Sequence, residues 1–97
     1  MNIEQLATTL RALHAKKMSE VDIMILSAVS QASDADKTVM NIIQKCPIAS
    51  RQTVHKRIQW LCKKGIIIKV EQPNNMRFKR LEFGPAYLTL LTDLRAA

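Results

Sequence analysis

Apolar side chains recur along most of this chain at intervals of three and four, the spacing that lines up one face of a helix, and switch to a β-branched run in one stretch. Ile3, Leu6, Ala7, Leu10 and Leu13 give an amphipathic helix over residues 2–16 with a narrow apolar stripe. Ser19 followed by Asp22 reads as an N-cap with its third-position partner, and opens a second helix through Val21, Met24, Ile25, Ala28 and Val29. The polar stretch 31–37 ends it. Thr38 is the next N-cap, and Val39, Ile42, Ile43 and Cys46 predict a short third helix that Pro47 stops.

Ser50 caps a fourth helix. Projected at about 100° per residue, it puts Val54, Ile58 and Leu61 on one face and Gln52, Lys56, Gln59 and Lys63 on the opposite face, flanked by His55. One side packs and the other faces outward. Arg57 projects near the apolar face, where an internal ion pair is an alternative to an outward role. Lys63 and Lys64 suit the negative end of the helix dipole, and Gly65 stands where a residue of positive φ closes a helix. Ile66, Ile67, Ile68, Lys69 and Val70 then read as a strand, and the polar residues 72–75 as a turn. Residues 77–83 form a return strand. Pro85 fits the first turn of a last helix, striped by Tyr87, Leu88, Leu91 and Leu94.

The order helix, helix, short helix, tight turn, basic helix and hairpin predicts an α+β, mainly helical winged helix-turn-helix with flanking terminal helices. At 97 residues it makes a single domain, with residues 1–17 as the N-terminal helix, 19–83 as the winged-helix core and 84–97 as the C-terminal helix. Charge then sharpens the picture. Residues 1–36 carry three bases against five acids, net −2, whereas residues 37–97 carry twelve against three, net +9, together the +7 of the chain. An excess of this kind on one segment is the electrostatic footprint of a polyanion, with nucleic acid the first candidate and an acidic membrane surface the next.

Several chemistries fall away. No glycine-rich phosphate cradle can be built from Gly65 and Gly84, so no nucleotide cofactor is expected. Cys46 and Cys62 are not spaced for zinc or a thiol redox pair and read as packed thiols. His14 has no neighbouring ligand set, and no metal is expected. His55 and Cys62 are about 10 Å apart along the helix, too far for a catalytic dyad, and the protein is not expected to be an enzyme. The longest run without a charge, residues 23–33, is too short to cross a bilayer, and a cytoplasmic protein without a membrane partner is expected.

The candidate functional residues follow from geometry. A helix with an uncharged-polar and basic outer face suits the major groove, where Gln bonds adenine and Lys or Arg bonds guanine, so Gln52, His55, Lys56 and Gln59 are assigned to base readout. Thr38, Ser50, Arg51, Lys63, Lys64, Lys69, Asn74, Asn75, Arg77, Lys79 and Arg80 are assigned to phosphates or to the wing. Trp60 and Tyr87 are core or interface residues rather than stacking platforms. The stripes of the terminal helices, Leu6, Leu10, Leu13, Tyr87, Leu91 and Leu94, either close the core or pair with a second copy into a homodimer.

The run Ser50-Arg51-Gln52-Thr53-Val54-His55-Lys56-Arg57-Ile58-Gln59-Trp60-Leu61-Cys62-Lys63-Lys64-Gly65 resembles the recognition helix of MarR-type winged-helix regulators. The stretch Asn75-Met76-Arg77-Phe78-Lys79-Arg80-Leu81-Glu82-Phe83-Gly84-Pro85 is similar to that family's wing, an Asp-x-Arg motif, a basic strand and a Thr-Pro helix start. The resemblance covers about residues 19–95 and implies a sequence-specific regulator of transcription, from a bacterium or a phage, whose Arg77 enters the minor groove. Asn75 stands where the family has the Asp that braces the wing arginine, and Gly84 where it has Thr. A second class of function remains: a DNA-coating or protein-adaptor winged helix, for example in a phage replication or regulatory assembly.

Overall fold

The computed structural model of the protein describes residues 2–72 and 75–96, with the side chains at 72, 75–78 and 96 outside the description. Its elements are α1 (Ile3–Ala15), α2 (Glu20–Gln31), a 3₁₀ turn (Asp34–Asp36), α3 (Val39–Gln44), α4 (Arg51–Lys63), β1 (Ile67–Gln72), β2 (Asn75–Phe83) and α5 (Ala86–Ala96). This is the mainly helical winged helix-turn-helix that the sequence order predicts.

α1, α3 and α4 start where a short polar side chain accepts from a free N–H, and α2 where the Asp22 carboxylate reaches back to the capping residue. The Asn2 side chain accepts from Gln5 N at 2.8 Å and the Gln5 side chain accepts from Asn2 N at 3.0 Å, a reciprocal box that the sequence pattern left unread. The Ser19 N–H donates to the Asp22 carboxylate at 2.8 Å. The Thr38 hydroxyl accepts from Asn41 N at 3.3 Å, and the Ser50 hydroxyl from Thr53 N at 3.1 Å.

The helix ends are equally specific. After α4, Gly65 N donates to Cys62 O at 3.1 Å and Ile66 N to Leu61 O at 3.0 Å, the two bonds of a Schellman motif, with Gly65 at φ 75°. After α1 the same pair recurs, Lys17 N to His14 O and Met18 N to Leu13 O, but here Lys17 occupies the left-handed position at φ 59°.

The core gathers Leu13 of α1, Ile25 and Val29 of α2, Ile42 of α3, Val54, Ile58 and Leu61 of α4, Ile67 of β1, Leu81 of β2 and Leu90 of α5. The expected inward face of α4 is therefore the buried one. β1 and β2 pair antiparallel with Ile67 opposite Phe83, Ile68 opposite Glu82 and Lys69 opposite Leu81, and an irregularity lies between Val70 and Gln72. Both strands run further toward the turn than the expected 66–70 and 77–83, since Gln72 and Asn75 are partners.

The segment before α3 also joins the wing. Leu81 N donates to Lys37 O at 2.7 Å, and Thr38 forms a bridge with Arg80. At the other end of the hairpin, Gly84 N donates to Ile66 O at 2.8 Å and Ala86 N to Gly65 O at 3.0 Å. The backbones come so close that a Cβ on Gly84 would collide with the Gly65 carbonyl oxygen. The residue that departs from the wing pattern as a missing Thr is a glycine required by this contact.

Candidate nucleic-acid interface

α4 carries the candidate reading face. Gln52, His55, Lys56 and Gln59 are all exposed, on the side of the helix away from buried Val54, Ile58 and Leu61. Arg51, Lys63 and Lys64 are exposed at the two ends of the same helix. Ser50 is exposed, but its hydroxyl already accepts from Thr53 N and donates to the Thr53 hydroxyl at 2.9 Å. Thr38 is half-buried and caps α3.

The wing supplies a second set. Lys69 on β1 and Lys79 on β2 are exposed. Arg80 is half-buried and ion-paired with Glu82 at 2.7 Å, and Glu82 lies 3.9 Å from the Lys37 ammonium, which is 3.5 Å from Asp34. The charge of Arg80 is thus shared inside the protein, and this cluster ties the wing to the 3₁₀ turn. Asn75 and Arg77 lie on β2 with side chains outside the description, and Asn74 lies outside the described residues.

Exposed Thr53, at the start of α4, and exposed Lys45, which closes α3, extend the polar and basic surface beyond the expected residues. Thr53 could have been read from its position beside Gln52. Among the described residues, no group of three or more His, Cys, Asp or Glu could hold a metal ion.

Arg57 takes the internal role. Its Nε and Nη2 donate to the two carboxylate oxygens of Asp22 at 2.8 and 2.7 Å, and its guanidinium carbon lies 4.3 Å from the Trp60 ring centroid. The hydrogen bonds from Arg57 to Asp22, ahead of the opposing effect of burial, hold its proton more firmly than usual. Burial pushes the Cys46 thiol up, and also that of Cys62, where Lys69 pulls the other way.

The terminal helices lie side by side, joined by an ion pair between Lys16 and Asp93 at 2.7 Å. Leu6 and Leu10 are 44% and 42% exposed, Leu13 is buried in this chain's own core, and Leu91 and Leu94 are half-buried. Tyr87 stacks on Phe83 with ring centroids 3.9 Å apart. No described helix is long and apolar enough to cross a membrane.

No family profile and no curated protein sequence matches the chain. Solved structures do. A variant of S. aureus MepR bound to an oligodeoxyribonucleotide superposes with a TM-score of 0.74 at 14% identity, over 96% of this chain and 67% of that one. A second MepR variant gives 0.73 at 14% identity over the same shares. The fold is the MarR-type winged helix. A crystal structure of a MarR family transcription regulator is similar as well, with a TM-score of 0.69 at 20% identity, over 93% of this chain and 58% of that chain. In a MarR-type winged helix α3 and α4 form the helix-turn-helix, and β1 and β2 form the wing.

Proposed function

We propose that the protein binds double-stranded DNA in a sequence-specific manner and regulates transcription, with α4 in the major groove and the β1–β2 wing against the backbone or minor groove. The observation that carries this reading is the outward face of α4. Gln52, His55, Lys56 and Gln59 stand exposed on a helix whose opposite side is fully packed, and exposed bases flank them at Arg51, Lys63 and Lys64. A surface face that served solubility alone has no need of glutamines at positions 52 and 59, whose amides carry the paired donor and acceptor that match adenine. The oligodeoxyribonucleotide bound to the MepR variant of like fold supports the same role.

In this reading Lys69, Lys79 and Arg77 neutralise phosphates or line the minor groove, and charge-sharing with Glu82 makes Arg80 a weaker contributor than the other bases. The partly exposed leucines of α1, with Leu88 of α5 at 72% exposure, join two copies into a homodimer on a two-fold site. Selection from a random duplex pool tests the function. Recovery of one motif, with half-sites about one helical turn apart, supports a dimeric regulator. Featureless binding would assign the chain to DNA coating, and capture of a specific protein without DNA binding would make it an adaptor.

A further inference from the structure

Resting on that DNA-reading role, we propose that Asp22 and Arg57 are positioning residues that set the orientation of the reading face from behind, without touching DNA. Five groups meet at this point. The Asp22 carboxylate is fully buried at the start of α2 and takes both prongs of the Arg57 fork, at 2.8 and 2.7 Å, together with the Ser19 N–H at 2.8 Å. Arg57 Nη2 also donates to the Lys17 carbonyl at 3.3 Å. The Trp60 ring, one turn further along α4, covers the guanidinium. The middle of α4 is thereby tied to the start of α2 and to the α1–α2 turn.

The need for such a tie follows from what the rest of the α4 contact can do. Val54, Ile58 and Leu61 pack by shape and area, and apolar packing resists separation more than it resists small slides or rotations about the helix axis. Base recognition requires side chains held within about 0.5 Å and 10 to 20° of their working geometry. A two-pronged guanidinium–carboxylate pair is directional, and it fixes translation and rotation together. Stability is a poor reason for the pair to exist, since replacing a buried ion pair by well-packed neutral groups is often neutral or favourable. Arg57 projects toward the apolar side of α4, about 100° around the helix from its neighbour Lys56, so a rotation of α4 about this clamp would carry Gln52, Lys56 and Gln59 with it.

The turn that receives Arg57 is itself anchored on its other side. Lys16, next to Lys17, is ion-paired to Asp93 of α5 at 2.7 Å, and Met18 is buried. Residues 16–19 therefore contact α5, α4, the core and α2 in succession, and the reading helix is referenced to the terminal helix pair rather than to its nearest neighbour alone.

The test compares the wild type, Arg57→Lys, and the double variant Asp22→Asn with Arg57→Met. The double variant leaves net charge unchanged and keeps a side-chain acceptor for Ser19 N–H, so it is expected to fold. Two quantities are read: the affinity ratio of the selected duplex to a scrambled one, and, without DNA, the angle between α2 and α4 from residual dipolar couplings. Both variants are expected to lose about tenfold in the ratio, the weight of one base contact, with an unchanged salt slope and a shifted or broadened angle. A lowered melting temperature with ratio and angle as in the wild type would reduce the pair to a structural role and overturn the proposal. Should the wild type prefer no sequence, the DNA-reading role fails, and the couplings still decide the clamp: an unchanged angle overturns it and a shifted one upholds it.

Discussion

Lys17 adopts a backbone conformation that favours glycine, and it does so at the one turn where its carbonyl is needed by Arg57. The left-handed region costs a residue with a Cβ about 1 to 2 kcal/mol, and the Schellman bonds offset that cost. Lys17→Gly keeps the carbonyl and removes the clash, so it should raise stability by ~1 kcal/mol, seen as a melting temperature higher by about 4 to 8 °C. An unchanged or lower value would mean that the turn is relaxed around lysine. The cysteines give a second prediction at this scale. Burial raises both thiols, which lowers the thiolate fraction at a given pH, and the thiolate is the reacting form. Iodoacetamide at pH 7.5 should label Cys46 and Cys62 more slowly in the folded than in the unfolded protein, Cys46 slowest, with both rates rising as pH rises. Rapid labelling of folded Cys46 would contradict its burial at 1% exposure.

The base of the wing decides how the hairpin stands on α4. Gly65 closes α4, Ile66 begins the descent into the strand, and Gly84 returns against the Gly65 carbonyl before α5 starts. Gly84→Ala forces these backbones apart and should destabilise the fold by ~1 to 3 kcal/mol, measured by urea unfolding, because the obstacle is backbone and cannot rotate away. Much at this scale was legible in sequence. The apolar spacing gave the face of α4 and part of that of α2, where Ile25, Ala28 and Val29 are buried but Met24 is exposed and Leu26 buried in its stead. Ser19, Thr38, Ser50 and Gly65 marked boundaries of α2, α3 and α4, because caps and periodicity are local effects written within a few residues. The bridge between Thr38 and Arg80, the ion-pair chain through Glu82 and Lys37, and the contact at Gly84 were not legible. They join residues more than fifteen positions apart, and no local spacing encodes such a meeting. The left-handed Lys17 escaped for a different reason, since lysine gives no signal of positive φ. The outward face of α4 was legible as a face, while its partner was inferred from chemistry.

Over the whole molecule, the acidic N-terminal third packs on the basic remainder through α2 against α4 and α1 against α5. Residues 1–36 carry net −2 and residues 37–97, which include α4 and the wing, carry net +9, the excess on which the proposed function draws. Under the proposed function, charge of this kind would supply affinity to any DNA, whereas discrimination would rest on Gln52, Lys56 and Gln59. Gln52→Ala and Gln59→Ala should each lower discrimination between base pairs by ~1 to 3 kcal/mol while leaving the salt slope as it was, and unchanged base preference would remove these amides from the readout. The most direct measurement is the fluorescence anisotropy of a selected duplex and of its scrambled counterpart, titrated from low to physiological salt. Sequence-specific reading by α4 requires the selected duplex to bind at least about a thousandfold more tightly at physiological salt. Equal affinities that fall together as salt rises, with a slope near −0.9 per phosphate neutralised, would contradict it.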